Sequence, residues 1–150
     1  MQFFKGAIFF LLTLGVSALP TAIESNYENL TDTDLENRGT AVNPALVPVF
    51  KIQPGSGVGA NNVPIPKDCP PARAEFIQKL SANVAAGNVL GQRINFNTDI
   101  KVTDVKTQKD RATAMIITLQ SFSGTKGVGC PGASTPELTE LQKTGIQSPA

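Results

Sequence analysis

The sequence predicts an α+β domain: one helix packed on a small antiparallel sheet dominated by a long hairpin, with a short C-terminal helix and one disulfide. Three observations predict it. An apolar stripe at spacing four follows Asp68-Cys69-Pro70-Pro71, a strict alternation begins at Arg93, and the chain's two cysteines, Cys69 and Cys130, bracket both patterns.

The helix is expected from Pro70 to Ala86. Asp68 or Cys69 serves as its cap, the two prolines suit a first turn that needs no amide donor, and Glu75 complements the positive helix start. Ala72, Phe76, Leu80 and Val84, with Ile77 beside them, form the stripe that should face the core. Gly87-Asn88 stops it.

From Arg93 the period becomes two. Ile94, Phe96, Thr98, Ile100 and Val102 share one face, and Asn95, Asn97, Asp99, Lys101 and Thr103 the other, as in a strand with one wet side. Thr107 to Asp110 reads as a polar turn, and Ala112 to Phe122 as a returning central strand with apolar residues on both faces. A glycine-rich loop with Cys130 follows. Thr135-Pro136-Glu137-Leu138 then starts a short helix that ends at Gly145, leaving a frayed tail from Ile146 to Ala150.

The segments before this core divide by composition. Residues 1–19 carry Lys5, an apolar run from Gly6 to Val16 and small residues at Ser17 and Ala18, the pattern of an export signal and too short for a membrane span. Residues 20–38 hold five acids against Arg38 and too few apolar groups to offset the entropy of ordering. Residues 39–67 are rich in Pro, Gly and Asn. Within them Leu46 to Ile52 reads as an edge strand, with Pro48 confining it there, and Gly55 to Gly59 as a flexible connector. The core proper is expected over 68–150.

Two cysteines in an exported chain most simply form one disulfide, Cys69–Cys130. Asn29-Leu30-Thr31 is a glycosylation acceptor, and Leu35-Glu36-Asn37-Arg38 marks a processing site after Arg38. From Gly39 onward eleven basic residues stand against seven acidic ones, a net +4 compared with +1 for the whole chain. That charge suits anionic glycan or lipid surfaces. Nucleic acid is not expected as a partner, since the chain has no Trp and a single Tyr to stack bases.

With no histidine, the Ser-His-Asp and Cys-His relays are excluded, and any catalysis would rest on carboxylates or lysine. No metal or cofactor is expected: two cysteines alone do not make a zinc site, and Gly55 to Gly59 lacks the dinucleotide spacing. Asp99 and Asp104, on one straight strand, would lie about 17 Å apart, too far for a glycosidase pair. Ser123-Gly124-Thr125-Lys126 and Lys143-Thr144-Gly145 match fragments of serine penicillin-binding enzymes, but without the helix-start nucleophile and S-D-N element those enzymes need. The remaining candidate is a basic cluster at the hairpin tip, Lys101, Lys106, Lys109 and Arg111, with Lys126 nearby.

The export signal, the Leu-Glu-Asn-Arg site, the small size and the single cysteine pair resemble the small secreted proteins of filamentous fungi, many of them candidate effectors. The resemblance covers export features and size and transfers no site residues. It implies a non-enzymatic interaction protein that binds a host or cell-surface target, the basic cluster being its expected contact. A second expectation is a protease inhibitor that presents Lys126 from the Gly124 to Gly129 loop; a third, weaker one is a small carboxylate hydrolase.

Overall fold

The computed structural model describes residues 41–147. The export segment, the acidic segment with Asn29 and Arg38, and the last three residues lie outside the described residues. Three α-helices and a minimal two-stranded sheet, with three 3-10 turns, make up the regular structure of the described residues: α1 (Arg73–Ala86), β1 (Asn88–Val89), β2 (Gln92–Arg93), α2 (Val105–Gln120) and α3 (Pro136–Thr144).

The first helix forms where its stripe predicts it. It starts three residues later than expected: the N-cap is Ala72, whose ψ of 137° is non-helical, so helical geometry begins only at Arg73 and the Pro70-Pro71 pair lies before the helix. Phe76, Ile77 and Leu80 are buried, and Gly87 closes the helix at φ +69°, donating its N–H to the Asn83 and Val84 carbonyls. The last helix also matches expectation: Pro136 occupies its first turn, Glu137 follows, and Gly145 ends it at φ +72°.

The long hairpin is not formed. β1 and β2 pair antiparallel for two residues each, Asn88 opposite Arg93 and Val89 opposite Gln92; the Ile94 N–H adds one more bond to the Gly87 carbonyl at 3.2 Å, and no further strand follows among the described residues. Asn and Asp at alternate positions pull the backbone into side-chain-capped turns instead: Asn97 Oδ1 accepts from the Asp99 N–H at 2.8 Å, and Asp99 Oδ1 from the Lys101 N–H at 2.9 Å. The expected turn at Thr107 to Asp110 and strand at Ala112 to Phe122 are together one helix, α2. No Gly or Pro interrupts 105–122. Ala112, Met115 and Leu119, with Gln108 and Arg111, are buried at helical spacing.

The expected edge strand at Leu46 to Ile52 is likewise absent. Asn43 Oδ1 accepts from the Ala45 N–H at 2.9 Å and starts a 3-10 turn, Pro44–Leu46. The following backbone bonds to side chains rather than to a strand: Arg73 Nη2 donates to the carbonyls of Pro44 (2.8 Å) and Val47 (3.0 Å), and the Lys51 N–H donates to Glu137 Oε1 (3.1 Å). Nor is Gly55 to Gly59 a loose connector. Gly55, Gly59 and Ile65 donate their N–H groups within the loop to Lys67, Val63 and Gly57, and Gly59 packs against the Ala133 carbonyl so closely that a Cβ would lie 2.5 Å from it.

One core joins these parts. Val42, Leu46, Val47, Phe50 and Ile65 from the proline-rich segment meet Phe76, Ile77 and Leu80 of α1, Met115 and Leu119 of α2, and Leu138 and Leu141 of α3. Phe50 and Phe76 meet edge to face, 5.3 Å between ring centres. The Cys69–Cys130 disulfide is present, with Cα atoms 5.4 Å apart, and ties the chain before α1 to the loop after α2 across 61 residues. No helix of the described residues is long and apolar enough to cross a membrane.

Candidate functional site

The most specific polar arrangement of the described residues centres on Arg111. Its place in α2 puts the guanidinium on the buried side of the helix, and the residue is fully buried. The planar fork donates three times to the backbone of the preceding loop: Nε to the Asn97 carbonyl at 2.7 Å, Nη1 to Val102 at 2.8 Å and Nη2 to Asp99 at 2.6 Å. Burial pushes its pKa down, while the charges of Asp104 and Asp99 act against that shift. Arginine keeps its proton in this setting, so the loop is wrapped around a permanent positive charge.

The loop is fastened at both ends. At the α2 start, Asp104 caps the helix by accepting from the Thr107 N–H at 3.0 Å. That bond, and next the Thr107 hydroxyl, hold the Asp104 carboxyl below the usual range. At the other end, Asn95 Nδ2 donates to Asp110 Oδ2 at 2.9 Å, and Lys106 Nζ reaches the same oxygen at 2.6 Å. Between these anchors a turn closes with the Val102 N–H on the Asp99 carbonyl at 3.2 Å, and its two central residues, Ile100 and Lys101, are exposed. Ile100 is 50% exposed there.

The fold therefore disperses the expected basic cluster. Lys101 stands on the loop, Lys106 is exposed but paired with Asp110, and Lys109 is half-buried one helical turn on. Arg111 is not on a tip at all but inside the molecule. Lys126 lies past the other end of α2, a helix of 16 residues and so about 24 Å long. There it sits exposed in a tight turn, Thr125 to Val128, closed by the Val128 N–H on the Thr125 carbonyl at 3.0 Å, with Cys130 close behind.

The candidate catalytic fragments do not assemble either. Asp99 and Asp104 are each engaged by local N–H groups, and no group of three or more His, Cys, Asp or Glu that could hold a metal ion occurs among the described residues. Ser123 donates its hydroxyl to the Val128 carbonyl beyond the end of α2. Gly145 of the Lys-Thr-Gly run packs against Val105 at its start.

Sequence reasoning missed two polar features. Arg111 was expected on the surface because arginine usually is. Glu137 is 8% exposed and joins α3 to the proline-rich segment through the Lys51 N–H, leaving Oε2 without a hydrogen-bond partner among the described residues. The acid at the second position of a proline-started helix was the available signal for a capping role, though not for burial. No protein-family model, curated protein or solved structure matches the chain.

Proposed function

We propose that the chain is an exported, non-enzymatic interaction protein, effector-like in character, which recognises a host or cell-surface target through the loop Asn97 to Asp104. The observation that carries this reading is the buried Arg111 fork on three loop carbonyls. A loop is ordinarily the least ordered part of a domain. This one is held in a single shape while offering Ile100 and Lys101 to solvent, so a partner would not have to supply the cost of ordering it. Lys106 and Lys109 flank it and suit an acidic protein patch or an anionic glycan or lipid surface.

Export rests on the leader-like residues 1–19, with the disulfide as support, since such bonds persist in oxidising compartments. Processing after Arg38 would remove the acidic segment together with any glycan on Asn29. The first buried side chain among the described residues, Val42, lies only four positions beyond that site, so cleavage there would spare the core.

Binding of the native chain to host or cell surfaces should fall at least tenfold with Ile100→Ser and Lys101→Glu combined, with an unchanged melting temperature. Undiminished binding by that variant would remove the loop from the account. The protease-inhibitor reading is favoured by one observation, the exposure of Lys126 on a tight turn four residues before the disulfide-bonded Cys130. A panel of trypsin-like enzymes decides it: no inhibition at micromolar chain disposes of the idea.

A further inference from the structure

An endoprotease cuts a peptide bond only when several residues on either side open into an extended line, so a folded chain is cut where opening costs least. The described residues hold eleven basic side chains, and ten are poorly placed for this. Six lie inside α1, α2 or α3, Arg93 is in β2, and three stand in fastened loops. The Lys51 N–H is bonded to Glu137 beside the buried Phe50, and the Lys67 carbonyl accepts from the Gly55 N–H at 2.7 Å just before the disulfide-bonded Cys69. Lys101 sits in the turn gripped by Arg111.

Lys126 differs in each respect. It lies within seven consecutive exposed residues, Ser123 to Gly129, the longest such run among the described residues. Opening the run therefore takes no side chain out of the core. It breaks only the Val128 N–H bond to Thr125, the Ser123 N–H and hydroxyl bonds to the Val128 carbonyl, and the Gly124 N–H bond to Ser121. Gly124 and Gly127 hold φ of +88° and +74°, and glycine passes from there to extended backbone without steric cost. The opening also has a fixed limit. The Cys130 N–H donates to the Leu119 carbonyl at 3.0 Å, and its sulfur is bonded to Cys69.

We propose that Lys126–Gly127 is a processing bond for an endoprotease whose primary pocket carries a carboxylate to receive lysine, and that the cut yields a folded two-chain form joined by Cys69–Cys130. The site is separate from the Asn97 to Asp104 loop and does not rest on its role. Water adds across the bond: its hydroxyl completes a carboxyl group on Lys126, and its remaining hydrogen goes to the departing Gly127 nitrogen. The 24 residues beyond the cut carry Cys130 and all of α3, so the disulfide and the Leu138 and Leu141 contacts with the core persist.

Trypsin in catalytic amount, added to the native full chain at neutral pH, tests this by mass analysis over time with and without reductant. The first cut within residues 41–147 should leave the molecule in one piece until reduction, which should then release Gly127–Ala150, whatever is trimmed before residue 41. The cut chain should keep the circular dichroism of the native one and melt cooperatively. Lys126→Gln should fold as the native chain does and slow the first cut anywhere in 41–147 at least about tenfold, because the other basic residues need wider unfolding. Four results would each overturn the proposal: a first cut after Lys67 or Lys101, a Lys126→Gln chain cut as fast as the native one, a cut chain that no longer melts cooperatively, or a chain that blocks trypsin and stays whole.

Discussion

Nη2 of Arg111 lies 2.6 Å from the carbonyl oxygen of Asp99, and through this bond and its two companions α2 governs a loop twelve residues earlier in the chain. Truncation would remove a fully buried guanidinium and leave three part-buried carbonyls short of a donor. Arg111→Leu should therefore cost about 3–5 kcal/mol, the range for removing one partner of a buried charged contact. Arg111→Lys keeps the charge but offers a point donor in place of a fork, and should recover only part of that loss. Urea unfolding measures both, and trypsin cleavage after Lys101 should accelerate in step with the loss.

Gly87 and Gly145 form a matched pair. Both end a helix in the left-handed region, at φ +69° and +72°, but a Cβ on Gly87 would meet nothing, whereas one on Gly145 would lie 2.7 Å from Val105 Cγ1 and 2.8 Å from the Val105 carbonyl oxygen. Gly87→Ala should cost about 1 kcal/mol from conformation alone. Gly145→Ala should cost at least about twice that, because the backbone of α2 must shift as well. Equal losses in thermal unfolding would show that the α2–α3 contact is looser than described.

The Asp104 cap gives a pH dependence of known sign. Its folded-state carboxyl titrates below its ordinary value of 3.8, so its contribution is present above that value and is lost as pH falls through the lower folded-state one. Asp104→Asn retains a capping oxygen without titrating. The melting temperatures of native chain and variant should therefore differ near neutral pH and draw together as the pH falls below the ordinary carboxylate value of 3.8, and a gap that does not narrow in acid would contradict the assignment.

The Cys69–Cys130 bond closes 61 residues and should contribute about 4 kcal/mol by restricting the unfolded chain. Replacing both cysteines with serine, which avoids a stray thiol, should lower the unfolding midpoint by a corresponding amount in urea. The Arg111 loop should keep its shape in that variant under native conditions, as none of its anchors involves the disulfide.

How far the fold was legible in the sequence follows from where each signal resides. Helix α1, helix α3 and the disulfide are encoded locally, in Pro71, Gly87, Pro136 and Gly145 and in a cysteine pair without competitors. Helix α2 was not read, because Ala112 to Leu119 is apolar on every side and periodicity cannot then separate strand from helix. The absence of Gly or Pro from 105 to 122, a stretch longer than most strands, was the signal that could have found it. The site was still less legible. Arg111 looks like any surface arginine until the carbonyls of Asn97, Asp99 and Val102 converge on it, and backbone carbonyls carry no identity in a sequence. Ile100 and Lys101 were visible only as one step in an alternating pattern, where an asparagine or aspartate every second residue spoke for turns rather than for a strand.

The central claim, that Arg111 holds the Asn97 to Asp104 loop in one conformation ready for a partner, is tested most directly by ¹⁵N relaxation of the backbone amides of Ile100 and Lys101. Order parameters near about 0.85, equal to those of the helices, are predicted for the native chain, falling in Arg111→Lys. Values below about 0.6 in the native chain would mean a mobile loop and would contradict the account.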